Sequence, residues 1–129
     1  MKATLPYPPS SNTMYFNRSF VRRGRGRVLS GGGRSFYEHT ALIWAAVKAR
    51  ENWIDQDDRK MSVRIRVLLP DRRRRDSDNI VKAVLDSLVK GKVIKDDSQI
   101  YFHSVLKCDV GEYRGMPGVE VCIEPYKIV

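Results

Sequence analysis

KMSVRIRVLLPDRRRRDSDNIVKAVLDSLVKG, residues 60–91, changes its hydrophobic period once, and that change decides the fold. Met61, Val63, Ile65, Val67 and Leu69 alternate with Ser62, Arg64 and Arg66, the pattern of a strand with one buried face. Pro70 ends the strand because it has no N–H for a sheet ladder. Beyond the charged stretch, Ile80, Val81, Val84, Leu85 and Leu88 recur at helical spacing. Residues 78–90 therefore read as an amphipathic helix, stopped by Gly91.

Outward from this unit, residues 35–53 predict a longer helix, packed through Tyr37, Ala41, Trp44, Ala45 and Ala49, with Ser35 as its N-cap. Residues 100–109 and 119–124 read as strands joined through GEYRGMPG, which predicts a hairpin. In that hairpin Cys108 and Cys122 would face each other, close enough to pair on oxidation. The opening ATLPYPPSSN reads as a short strand broken by Pro6, Pro8 and Pro9. No repeat or linker divides the 129 residues. The expectation is one α+β domain over residues 1–129, a mixed sheet with two main helices.

The chain carries a formal charge of +9 with 42% hydrophobic residues, so it can build a core and still attract a polyanion. The charge is uneven. Up to Arg50 there are nine Lys or Arg against Glu38 alone, and the other 79 residues hold fifteen bases and fourteen acids. Nucleic acid is the expected partner, and Arg22, Arg23, Arg25 and Arg27, in a Gly-rich segment without acids, are expected to reach its phosphates. That segment is expected to order on its partner. A membrane is not expected: the longest apolar run, ALIWAAV, is far short of the ~20 residues a span needs. With no signal-peptide pattern and only two cysteines, read as reduced buried thiols, an intracellular, cytoplasmic location is expected.

Asp76 and Asp78 stand two residues apart where strand gives way to helix, and either alone would read as an N-cap. Their company changes the reading. Lys82 lies one turn beyond Asp78 on the same helix face, and Asp97 is expected to fold back from the loop after the helix. Converging carboxylates suit Mg²⁺ or Mn²⁺, hard ions that keep places for water and a phosphate. Arg72, Arg73, Arg74 and Arg75 would then hold phosphate oxygens, each through a two-pronged guanidinium. Together these parts predict metal-assisted phosphodiester hydrolysis, with Asp76, Asp78, Lys82 and Asp97 as catalytic residues. Other chemistries lack their motifs: His39 and His103 have no metal-ligand spacing, no G-x-S-x-G occurs, and the GGG at residues 31–33 follows no convincing strand.

LPDRRRRDSDNIVKAVLDSL, the later KDDSQI and the early LPYPPSSN resemble the signature of the RusA family of Holliday junction resolvases. The resemblance implies a homodimeric Mg²⁺-dependent endonuclease, with Mn²⁺ able to substitute, that nicks four-way DNA junctions symmetrically in recombination and repair. It implies Asp76, Asp78 and Asp97 as metal ligands and Lys82 as the catalytic lysine. Arg75 and Asn79 match positions that support DNA contact and the geometry of the site, and Asp96 matches the lesser acid of the family's acidic pair. A bacterial or bacteriophage source is implied as well. The segment at residues 18–34 and Ser77 depart from the family pattern. Two alternatives stand beside this reading: a non-catalytic nucleic-acid-binding module, and a nuclease of other branched DNA.

Overall fold

The computed structural model describes residues 1–10, 15–17, 27–29, 31–53 and 58–128. Four strands form the main sheet: β1 (Lys2–Leu5), β4 (Met61–Leu68), β5 (Ile100–Cys108) and β6 (Gly118–Pro125), in the order β1-β6-β4-β5. Two short strands, β2 (Tyr15–Asn17) and β3 (Arg27–Leu29), pair antiparallel with each other. Two helices, α1 (Gly31–Arg50) and α2 (Ser77–Lys90), complete the α+β fold. Most of the basic segment expected to order on a partner falls outside the described residues. Arg22, Arg23 and Arg25 lie outside the described residues.

The alternation in β4 becomes burial in the structure. Met61, Val63, Ile65 and Val67 are buried on one face, while Arg64 and Arg66 are exposed on the other. Trp44 of α1 and Ile80, Val84 and Leu88 of α2 pack on the buried face, in one core with Leu5, Val119, Val121 and Ile123. The Trp44 indole donates to Ser87 Oγ at 3.2 Å, and Ser87 Oγ in turn donates to the Val84 carbonyl at 2.6 Å. A buried polar pair therefore joins the two helices with its hydrogen bonds made.

Helix α2 matches its prediction within one residue, but α1 starts earlier and ends sooner than residues 35–53. Glycine's poor helix propensity concealed the first turn; in the structure Gly31 opens the helix and Gly33 is buried. At the other end Asn52 takes a left-handed φ of 51°, with Trp53 N–H donating to the Lys48 carbonyl and Asn52 N–H to that of Ala49. Those two bonds close the helix before Trp53. Ser35 lies inside the helix and is not its N-cap.

The predicted C-terminal hairpin does not form. β4 lies between the two strands, parallel to β5 and antiparallel to β6. The reason is the crossover: β4 leads through α2 into a parallel neighbour, and β6 then occupies the other side of β4. Cys108 pairs in register with Leu68 and Cys122 with Arg64, on opposite flanks of β4. Two strand spacings, about 9–10 Å, separate them before any offset along the strands. A disulfide needs Cα atoms closer than about 7 Å, so the two thiols cannot pair. Both are free.

Candidate active site

The connection from β4 to α2 is held by contacts that repetitive charge did not reveal. Leu69 N–H extends the β4–β5 ladder to the Cys108 carbonyl at 3.0 Å, and the Tyr113 hydroxyl donates to the Leu69 carbonyl. Asp71 then organises the arginines: its Oδ1 accepts from Arg73 N–H at 3.0 Å and its Oδ2 from Arg75 Nη2 at 2.6 Å. The hydrogen bond from the Arg73 backbone, reinforced by the one from the Arg75 side chain, holds the Asp71 carboxyl below its ordinary value. Arg75 also lies over the Tyr7 ring, 5.7 Å from its centroid. Partial burial raises the Tyr7 phenol above its ordinary value, against the opposing pull of Arg75. The four arginines therefore differ. Arg75 is turned inward as a strut, whereas Arg72, Arg73 and Arg74 are exposed.

Asp76 is the N-cap of α2, in extended backbone with φ −87° and ψ 125°, and its Oδ1 accepts from Asp78 N–H at 3.0 Å. The capping reading thus holds for Asp76, and it does not exhaust the residue. A carboxylate has about four lone-pair sites, and the cap uses one. Asp78 sits in the first turn of the helix. Both aspartates, with Asn79 and Lys82, are exposed. The positive end of the helix dipole favours anions there, whether carboxylates of the protein or phosphates of a ligand.

Asp97 lies elsewhere in the same copy. It opens a 3₁₀ turn (Asp97–Gln99) that follows the far end of α2 and leads into β5. The 14 residues of α2 separate it from Asp76 by roughly 20 Å. The expected folding back of Asp97 onto the pair is therefore not seen within one chain. Among the described residues, no three His, Cys, Asp or Glu side chains come close enough together to hold a metal ion. Asp96 caps the 3₁₀ turn through Ser98, whose hydroxyl and N–H hold the carboxyl below its ordinary value. Buried Gln99 locks the turn, accepting from Lys95 N–H at 2.8 Å and donating to the Arg59 carbonyl at 2.9 Å. Asp97 is left exposed on this hydrogen-bonded turn.

The donor chemistry of Asp76 and Asp78 fits Mg²⁺ or Mn²⁺: two exposed hard oxygen ligands, with room for water and a phosphate. Among the described residues, one copy brings no third carboxylate to that pair. Sequence reasoning missed Tyr7, Asp71 and Tyr113, whose contacts hold the connection. The signal for one was present, since Asp71 and Arg75 stand at i and i+4; the others join through tertiary contacts.

Exposed paired carboxylates beside exposed arginines, on an α+β fold with a basic excess, are the equipment of a nuclease. Comparison with known proteins is more specific. The family described as Endodeoxyribonuclease RusA matches residues 6–124. The crossover junction endodeoxyribonuclease RusA of Escherichia coli K12 is 37% identical over 110 residues, covering 83% of this chain and 82% of the relative. The enzyme of that name from Enterobacteria phage 82 is 36% identical over 109 residues, with the same coverage. That of Aquifex aeolicus is 32% identical over 119 residues, covering 88% of this chain and 91% of the relative. This chain belongs to the RusA family.

Proposed function

We propose that this protein acts as a homodimer that uses Mg²⁺, or Mn²⁺ in its place, to cut four-way DNA junctions by paired nicks in opposing strands. Family membership makes it an endodeoxyribonuclease that resolves Holliday junctions. The observation that carries the metal reading is the exposed Asp76–Asp78 pair at the start of α2, next to Arg72, Arg73 and Arg74. Asp76 and Asp78 would hold the cation, and the three arginines the DNA backbone. A divalent cation bound there supplies an activated water and neutralises charge developing on the phosphodiester. Lys82 would face the same phosphate and stabilise that charge.

Two observations support the dimer. The first is the distance of Asp97 from its own chain's pair, which leaves a second copy to supply that carboxylate if the three act together. The second is the edge strand β5, which exposes Phe102 by 46% and Leu106 by 61%. Both lie on the sheet face opposite the main core, in register with Ser62 and Arg66. An open strand edge with exposed apolar side chains calls for a cover, and a two-fold pair would set two identical sites on a two-fold junction.

Digestion of a synthetic four-way junction, a flap and a linear duplex, each with Mg²⁺, Mn²⁺ or EDTA, tests the reading. The expected result is symmetric nicking of the junction that EDTA abolishes. Junction binding without cleavage under any metal would overturn the enzymatic reading in favour of a binding module. Equal cutting of flap and junction would broaden the substrate to branched DNA.

A further inference from the structure

We propose that Lys107 is a positioning residue for the carboxylate pair, holding the Arg75–Asp76 peptide so that Asp76 and Asp78 present their oxygens to one cation. The proposal rests on the metal-dependent reading above. Lys107 lies on β5 opposite Val67, whose side chain enters the core beneath the helices. Paired residues of neighbouring strands project to the same face, so Lys107 points to the α2 side of the sheet. It sits one register step before Cys108, where the chain beside it leaves β4 for the connection. From there its Nζ donates to the Arg75 carbonyl at 3.1 Å. That carbonyl belongs to the peptide bond that leads into Asp76.

The connection is otherwise gripped on its other side, where Asp71 and the Tyr7 ring hold the Arg75 side chain. Lys107 holds the backbone of the same residue. Arg75 is thus fixed at both main chain and side chain, and Asp76 follows it directly. Lysine on an edge strand has another use, guarding the open edge against unwanted pairing. That use needs the charge and not the bond to Arg75, and the two roles separate experimentally.

Mn²⁺ is titrated calorimetrically into the full chain as wild type, Lys107→Met and Lys107→Arg, with thermal melts and junction cleavage on the same samples. Lys107→Met should raise the half-saturating Mn²⁺ concentration roughly tenfold, the lower end of what loss of a ligand-orienting partner does. The sign is diagnostic, since removing a nearby positive charge would by itself tighten a cation. Cleavage by Lys107→Met should show a lower kcat with KM for the junction unchanged, and Lys107→Arg should recover both readouts by donating to the same carbonyl. Unchanged or tighter Mn²⁺ binding in folded Lys107→Met would overturn the proposal. So would loss in Lys107→Arg equal to that in Lys107→Met. Wild-type protein that takes up no Mn²⁺ and cuts no junction would instead overturn the metal-dependent reading itself.

Discussion

Arg75 Nη2 closes on Asp71 Oδ2 at 2.6 Å, across the i, i+4 spacing of a segment that is not yet helix. The pair sets the course of the connection. Asp71 lies in a turn, receives the Arg73 N–H on its other oxygen, and so bends the arginine run before Asp76 begins α2. Because its folded-state acidity is strengthened by these bonds, Asp71 contributes stability above the ordinary carboxylate range, and that contribution disappears as pH falls through its depressed value. Asp71→Asn should therefore melt below wild type at neutral pH, with the gap narrowing in acid. Melts at neutral pH and at about pH 2, below ordinary carboxylate values, provide the comparison. A gap that persists unchanged in acid would show that the carboxylate charge is not what holds the turn.

Gly91 should resist substitution, for a reason different from the usual one at a helix end. Its φ of −82° is open to any residue, so no left-handed strain is involved. A Cβ there would instead stand 3.0 Å from Trp44 Cβ and Cδ1 and from the Ser87 carbonyl oxygen. Gly91→Ala gains about 0.4–1 kcal/mol by restricting the unfolded chain. Overpacking against a fully buried tryptophan costs about 1–3 kcal/mol, so the clash wins. Chemical denaturation should show a net loss, and a more stable variant would mean that α1 and α2 slide apart easily.

The β4–α2 unit was legible because each residue's period survived into the structure. Ile80, Val84 and Leu88 reach the core, and Gly91 ends the helix as its position implied. Sheet order was not legible. Residues 100–108 and 118–125 look like hairpin partners because they are neighbours in sequence, whereas pairing was decided by the length of the α2 crossover, which places β5 beside β4. The same crossover hid the separation of Asp97 from Asp76: sequence order brings the acids to both ends of one helix, and only the direction of that helix says that these ends are apart. The arginine run had a similar limit. Composition cannot distinguish Arg75, folded onto Asp71 and Tyr7, from the three beside it that face solvent.

That difference gives unequal roles to the four arginines in DNA binding. Replacing Arg72, Arg73 and Arg74 together with Gln should weaken junction binding and flatten its dependence on salt. Each phosphate that the protein no longer neutralises takes about 0.9 from the slope of log K against log salt for duplex DNA. Arg75→Gln should change the slope little and lower the melting temperature, since its guanidinium is spent on Asp71. Binding titrations across a salt series decide the matter, and an Arg75→Gln slope change as large as the triple variant's would place Arg75 on the DNA after all.

The distance between Asp76 and Asp97 leads to a test in which two inactive proteins are mixed. Asp76→Asn and Asp97→Asn should each cut junctions about a hundredfold more slowly or worse, the scale on which loss of an electrostatic catalytic group is felt. Each should still bind, because removing a carboxylate removes repulsion toward phosphate. If one cation takes Asp76 and Asp78 from one copy and Asp97 from the other, a mixed dimer holds one complete site and one doubly damaged site. Co-refolded or co-expressed variants should then recover single-strand nicking, without the paired nicks of wild type. If each chain instead gathered its own three carboxylates by moving the 3₁₀ turn toward the start of α2, both sites in the mixed dimer would remain damaged and mixing would restore nothing. Nicking measured on a junction labelled separately in each opposing strand distinguishes these outcomes, and absence of recovery in a verified mixed dimer would rule out the shared site.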